Sequence, residues 1–153
     1  MTSEDALSLD ATTGALVGAG ALTLNAKEGI TISDNLTTAG TTTINADTDQ
    51  GDGTGTLTLA ASKTLDTTNA VLAITAEDLD ISGTSITSGS AKTTITDSDG
   101  GGIGLGDTAS TNGLDISVAE LTKITGADVE LVSAGNITVD NVSAASTANS
   151  SSS

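Results

Sequence analysis

Apolar and polar residues alternate along many short stretches of this chain, with a period of two rather than 3.6. The stretches Leu22–Leu24, Ile30–Ile32 and Leu57–Leu59 are examples, each with Thr between two aliphatic residues. Such alternation points one set of side chains inward and the other toward solvent, and β-branched Thr suits a pleated surface. Gly, Asn, Asp or Ser follows almost every run, which is typical of turns. The pattern therefore predicts many short β-strands.

The strand phrases recur at regular intervals. "ALTLNA" begins at Ala21 and "TTTINA" at Thr41, and the related "TLTLAA" and "VLAITA" begin at Thr56 and Val71. Self-similarity at a fixed period of about twenty residues indicates a solenoid. We predict an all-β fold, a right-handed parallel β-helix (β-solenoid) with about 15–20 residues per coil. The right hand is what the family resemblance given below implies, and it agrees with the usual sense of parallel crossovers.

The domain organisation follows from where the repeats lie. Residues 1–19 are expected to form a lead-in or an incomplete first coil, and residues 20–145 the β-solenoid. Residues 146–153 read "STANSSSS", have nothing to bury and are expected to form a flexible tail. Ser117 precedes Glu120 by three residues, which is a capping box, so we expect a strand to Val118 and then a short helical turn.

Composition narrows the fold and the class of function. The 153 residues include no Phe, Trp, Tyr, Pro, Cys or His, and the net charge is −16. A core without rings is thin, which favours an elongated aliphatic tube. Phosphate binding requires Lys and Arg, so neither nucleic acid nor an anionic membrane surface is an expected partner. No stretch reaches the length of a transmembrane helix, so membrane insertion is not expected.

One acidic loop is a candidate metal site. "DTDQGDG" places Asp47, Asp49 and Asp52 at closely spaced positions on a Gly-rich loop, and Ca²⁺ prefers such oxygen ligands. The order of residues in an EF-hand loop is not met, so a solvated loop is the competing interpretation. Calcium is the one candidate cofactor, and a calcium-binding matrix or surface-layer module is the alternative function.

A second Gly-rich stretch, "DSDGGGIGLGDT", begins at Asp97. It resembles the calcium nonapeptide of β-roll proteins, but its aspartate is one position out of register and it occurs once. We therefore expect a Gly-rich turn with Ile103 and Leu105 pointing inward.

Other functional classes find little support in the residues. Without His, Cys or Arg, acid–base and nucleophilic chemistry lack their usual groups, so an enzyme is not expected. Two minor alternatives stay open: a polysaccharide-active β-helix using paired carboxylates, and an ice-binding solenoid using its Thr-rich strands.

Longer phrases resemble a known family. "EDLDISG", "GGGIGLGDT" and "LDISVAELTKI", in this order, are similar to the repeat regions of filamentous-haemagglutinin-like bacterial exoproteins. These are surface adhesins exported by two-partner secretion. The resemblance implies a right-handed β-helical shaft that is secreted or held at the bacterial cell surface, with adhesion to host cells, matrix or neighbouring cells. No Arg-Gly-Asp tripeptide is present, so the resemblance identifies no adhesive site in this chain.

The ends of a solenoid expose strand edges that usually need caps. Neither the first twenty residues nor the Ser-rich tail contains an amphipathic capping helix. We therefore expect either a segment of a longer shaft or a homo-oligomer that stacks head to tail as a filament.

Overall fold

The computed structural model describes residues 1–107 and 113–143. Nearly all regular elements in them are strands of two to six residues. In chain order the elements are β1 (Leu7–Leu9), β2 (Leu16–Gly18), β3 (Leu22–Asn25), β4 (Ile30–Ile32), β5 (Leu36–Thr38), β6 (Thr42–Asn45), β7 (Thr56–Leu59), β8 (Thr64–Asp66), β9 (Leu72–Ala76), β10 (Asp78–Ile81), β11 (Ser85–Thr87), β12 (Lys92–Asp97), β13 (Ile103–Gly106), β14 (Leu114–Ile116), α1 (Val118–Leu121), β15 (Ile124–Thr125), β16 (Asp128–Val132) and β17 (Ile137–Asp140).

Every third strand returns to the same sheet. Sheet 1 has the order β1-β4-β7-β10, sheet 2 the order β2-β5-β8-β11-β15, and sheet 3 the order β3-β6-β9-β12-β16. All of their pairings are parallel, so each coil adds one strand to each of three sheets. This is a parallel β-solenoid, as predicted. Several coils are longer than the predicted 15–20 residues, because Leu7 lies 23 residues before its partner Ile30 and Thr42 lies 30 residues before its partner Leu72. The right hand of the coil stays a prediction.

Aliphatic side chains stack in columns inside the coil. In sheet 3, Leu24, Ile44, Ile74 and Ile95 pair in register from strand to strand, and all four are buried. Burial of each such side chain contributes about 1.5–3 kcal/mol, so the column stabilises the stack without any aromatic ring. Inward hydroxyls also occur, and they are paired: Thr38 Oγ1 lies 2.6 Å from Thr42 Oγ1.

Turn lengths vary while the register between strands is kept. In sheet 3, Leu22 pairs with Thr42, Thr42 with Leu72, and Leu72 with Thr93. The longest of these steps contains the loop after β6. The fifteen-residue spacing between "TTTINA" and "TLTLAA" connects strands of different sheets, because β7 pairs with β4 and β10 in sheet 1.

One extra strand interrupts the regular stack after the fourth coil. Sheet 4 has the order β14-β13-β17, all parallel. The Gly-rich stretch that the sequence predicts as a turn is therefore strand β13, although Ile103 is buried as expected and Leu105 is half-buried. The later strand β14 lies next to β10, and β13 lies beyond it.

A buried carboxylate lies where the chain leaves the regular stack. Asp97 pairs with Ala76, at a corner position that smaller Ala side chains occupy in the preceding coils. Its Oδ2 accepts hydrogen bonds from Gly102 N at 3.0 Å and from Ser133 Oγ at 2.7 Å. Its Oδ1 has no partner among the described residues. Asp97 thus holds the turn that leads into β13.

Residues 1–19 were expected to form a lead-in or an incomplete first coil. Within residues 1–19, β1 and β2 pair in register with β4 and β5, and Thr2 forms a bridge with Asn25. The predicted capping box is confirmed: Ser117 caps α1 and Glu120 completes the box, although the preceding strand ends at Ile116 rather than Val118. Residues 144–153, with the expected tail, lie outside the described residues.

Candidate functional site

Asp47, the first residue of the predicted calcium set, is buried at a corner of the coil. Its Oδ1 accepts a hydrogen bond from Gln50 N at 2.9 Å, and its Oδ2 accepts one from Ser98 Oγ at 2.6 Å. Burial raises the pKa of the Asp47 carboxyl, and nearby Asp99 adds to the increase. Both oxygens of Asp47 are therefore used by the protein itself.

The other two predicted ligands, Asp49 and Asp52, are exposed. Asp52 Oδ1 accepts hydrogen bonds from Thr54 N at 3.0 Å and Thr54 Oγ1 at 2.7 Å, which closes a local turn. Across residues 1–107 and 113–143, no group of three or more acidic side chains is arranged to hold a metal ion. The three carboxylates do not converge in this structure, and calcium binding at Asp47, Asp49 and Asp52 stays a prediction.

The structure instead brings acidic residues from later coils to the Asp47 corner. Gly51 N donates to Asp99 Oδ1 at 2.7 Å, so the loop after β6 reaches the turn after β12. Burial raises the pKa of Glu77, and the charges of Asp99 and Asp47 raise it further. Sequence reasoning missed Glu77 and Asp99, because only the register reveals that the turns after β6, β9 and β12 share one corner.

A second acidic site lies where sheet 1 gives way to sheet 4. An open cleft of about 490 Å³ is lined there by Asp78, Leu79, Asp80, Gly106, Asp107, Asp115, Ser117 and Glu120. We call it the seam cleft. Five of its lining residues carry carboxyl groups, so the seam cleft is strongly acidic.

Side chains, rather than a backbone ladder, join the two sides of the seam cleft. Glu120 Oε1 accepts a hydrogen bond from Ile81 N at 3.1 Å, and Asp78 Oδ1 accepts one from Asp115 N at 3.3 Å. Lys123 Nζ donates to the carbonyl oxygen of Ile81. Because sheet 1 ends at β10 and sheet 4 begins at β14, these contacts satisfy edge groups that a further paired strand would otherwise satisfy.

Glu120 has two structural roles at once. Its Oε2 accepts hydrogen bonds from Ser117 N at 3.0 Å and Ser117 Oγ at 2.7 Å, which completes the cap of α1. Burial raises the pKa of neighbouring Asp78, and repulsion from Glu120 and Asp115 raises it further. The sequence predicted the capping box, but it did not predict that Glu120 Oε1 contacts Ile81 of β10.

The last described coil ends in strands whose outer edges are unpaired within the described residues. In sheet 4, Ile103 pairs with Ile137 and Leu105 with Val139. Ile137 and Val139 therefore continue the inward columns, yet the two residues are 46% and 60% exposed. This open apolar end is the surface that a further coil would cover.

The first coil presents a different end. β1 and β2 are edge strands of their sheets, and Leu7, Leu16 and Leu22 are partly buried against the core. The edge of β3 is contacted by the first residues of the chain, since Ser3 N donates to Asn25 O at 2.9 Å and Asn25 N donates to Met1 O at 2.9 Å. The two ends of the stack are thus not equivalent.

Comparisons of this chain with protein-family models, with curated proteins and with solved structures give no match. In the part of the chain that the structure describes, no helix has the length and apolar character needed to cross a membrane.

Proposed function

We propose that this protein is a structural β-solenoid shaft of a secreted bacterial surface adhesin or extracellular fibre, and that copies associate end to end. The observation that carries the proposal is the open apolar end, where Ile137 and Val139 continue the inward columns of sheet 4 and are about half exposed. The proposed role is mechanical, with no reaction assigned to the chain.

The coil architecture suits a load-bearing rod. Parallel pairing runs from β3 to β16 through five strands of sheet 3, so the backbone hydrogen bonds lie along the length of the stack. The aliphatic columns add burial at every step, and stability in such stacks is close to a sum of coil and interface terms. A rod of this kind can be lengthened by adding coils.

The bacterial surface assignment is supported by the resemblance to filamentous-haemagglutinin-like exoproteins. The phrases that carry it form a continuous part of the structure, because "EDLDISG" includes β10, "GGGIGLGD" includes β13 and "LDISVAEL" includes β14 and α1. The family's characteristic phrases therefore coincide with the seam cleft and the extra strand. Adhesion to host cells, matrix or neighbouring cells belongs to the same proposal.

End-to-end association would be driven by covering the apolar end. Fully burying a Val or Ile side chain contributes about 1.5–3 kcal/mol, and the unpaired edges of β15, β16 and β17 would gain partners. Contacts between the unlike ends of identical subunits are heterologous, so they give open filaments when the rotation does not close. The partner in this proposal is a second copy of the chain.

The test uses two variants of one strand. Val139→Lys places a charge on the inward side of β17, whereas Thr138→Lys places the same charge on its opposite side. We expect the native protein and Thr138→Lys to form filaments in electron micrographs and larger species in light scattering, and Val139→Lys to lose both. A native protein that stays monomeric at high concentration, or two variants that behave alike, would overturn end-to-end association.

A further inference from the structure

The outer surface of sheet 3 carries a regular polar array. On β3, β6, β9 and β12 the outward residues align in two adjacent columns, and we call this surface the threonine face. The first column contains Thr23, Thr43, Ala73 and Thr94, and the second contains Asn25, Asn45, Thr75 and Thr96. Five of the eight residues are Thr and two are Asn.

The alignment of the threonine face is strict although the coil lengths differ. The long loop between β6 and β7 adds residues at the corner and leaves the pairing of Thr43 with Ala73 in register. Neighbouring strands lie about 4.8 Å apart, and alternate residues along a strand lie about 6.6 Å apart. The face is therefore a two-dimensional grid of hydroxyl, amide and methyl groups.

The threonine face is also free of charge over most of its area. The chain has a net charge of −16, yet β3, β6 and β9 contain no charged residue. Charges lie at the two borders of the threonine face: the Met1 ammonium donates to Thr23 O at 2.7 Å beside β3, and Lys92 Nζ on β12 forms an ion pair with Glu130 Oε2 on β16 at 2.7 Å. Negative charge has thus been kept away from one ordered surface of a strongly acidic protein.

The outward hydroxyls are available to a ligand. Thr23, Thr43, Thr75 and Thr96 make no side-chain hydrogen bond to any residue within 1–107 or 113–143, and none of these side chains is buried. Inward hydroxyls of the same stack behave differently, since Thr93 Oγ1 donates to Ser88 Oγ at 2.8 Å. These four outward threonines contribute little to the fold through side-chain hydrogen bonding, whereas the fifth, Thr94, donates from Oγ1 to Glu130 Oε2 at 3.4 Å.

We propose that the threonine face binds ice. Water oxygens on a prism face of hexagonal ice repeat on a rectangular grid. The two repeat distances of that grid are near the distance between neighbouring strands and the distance between the two columns, so the hydroxyl groups can occupy lattice positions in successive rows. The threonine methyl groups add apolar contact without charge. A polysaccharide surface fits less well because sugar rings stack on aromatic side chains, and the chain has none.

The experiment compares ice growth in the presence of the native chain and of two variants, each of which replaces one threonine by tyrosine. Thr43→Tyr adds a ring in the middle of the threonine face, and Thr31→Tyr adds the same ring to the outer surface of β4 in sheet 1. We expect the native protein and Thr31→Tyr to shape ice crystals and to inhibit recrystallisation. Thr43→Tyr should lose that activity while keeping the native circular dichroism spectrum.

Two outcomes would overturn the proposal. Either a folded native protein leaves ice growth unchanged at millimolar concentration, or Thr43→Tyr and Thr31→Tyr are equally active. The assay is independent of end-to-end association, because Val139→Lys alters the apolar end and leaves the threonine face intact. Retained ice activity in Val139→Lys would separate the two properties.

Discussion

Asp47 Oδ2 accepts a 2.6 Å hydrogen bond from Ser98 Oγ, although the two residues are 51 positions apart in the chain. Asp47 follows β6 and Ser98 follows β12, so the contact passes over the corner of the coil that lies between them. Gly51 N, which donates to Asp99 Oδ1, reinforces the same connection. The loop after β6 therefore ties three successive coils together at one corner.

Asp47→Ala should destabilise the protein by about 1–3 kcal/mol, because it leaves the Ser98 hydroxyl without its acceptor in a buried position. Asp47→Asn should cost less, since an amide oxygen can still accept that hydrogen bond and carries no buried charge. Asp49→Ala is the control, and as an exposed change it should lie within about 0.5 kcal/mol of the native protein. Urea unfolding followed by far-ultraviolet circular dichroism measures all three, and equal losses for Asp47→Ala and Asp49→Ala would contradict the role of the corner.

Stability should fall as the pH rises from weakly acidic to neutral. The pKa values of Asp47, Glu77 and Asp78 are raised in the fold, chiefly by burial. An acid with a raised pKa binds its proton more tightly when folded, so its stabilising contribution is present below the ordinary pKa and is lost as pH rises through the raised value. The ordinary values are 3.8 for Asp78 and 4.5 for Glu77, so the loss falls above them.

Acids with lowered pKa values do not change stability between weakly acidic and neutral pH. Glu4, Asp34 and Glu130 accept hydrogen bonds from lysines that lower their pKa, and their contribution is lost only as pH falls through those lowered values. The chain has no His. Melting temperatures measured between weakly acidic and neutral pH should therefore decrease. Asp78→Asn should flatten this slope, and Glu130→Gln should not, because the lowered pKa of Glu130 acts at lower pH. A melting temperature that rises toward neutral pH would contradict the raised pKa values of the three buried acids.

Glu120→Ala should open the seam cleft. The variant removes the acceptor for Ile81 N and the second half of the α1 cap, and losing a cap alone costs about 0.5–2 kcal/mol. Hydrogen exchange should show faster exchange at the Ile81 amide, with the amides of β6 and β9 unaffected. Glu130→Ala is the matched control, because its exposed ion pair with Lys92 is worth at most about 1 kcal/mol. Unchanged exchange at Ile81 would show that Glu120 acts only within α1.

Ile74→Ala should be among the most destabilising single substitutions in the shaft. Ile74 lies in the middle of its column, between Ile44 and Ile95, and the truncation leaves a cavity that costs about 2–5 kcal/mol. Thr75→Ala, on the outer surface of the same strand, should cost far less. Denaturant unfolding of the two variants checks this, and similar midpoints would contradict a close-packed aliphatic core.

The capping box and the inward residues of the strands were predictable because both depend on neighbours within a few residues. Ser117 and Glu120 are three positions apart, and the alternation in Ile30–Ile32 places both Ile side chains in the core. The phrase "LDIS" occurs at Leu79 and again at Leu114, and the two copies lie in the neighbouring strands β10 and β14. Local geometry fixes these features, so the sequence alone determined a parallel solenoid with a thin aliphatic core.

Only the tertiary structure decided which strand pairs with which. Thr56–Leu59 and Leu22–Asn25 read almost alike, yet they belong to sheet 1 and sheet 3. Parallel backbone hydrogen bonds are the same for any short Thr and Leu phrase, so register depends on turn lengths and on packing of the whole column. The Asp47–Ser98 contact, the extra strand β13 and the seam cleft all follow from that register, because each joins residues that only the stacking of coils brings together.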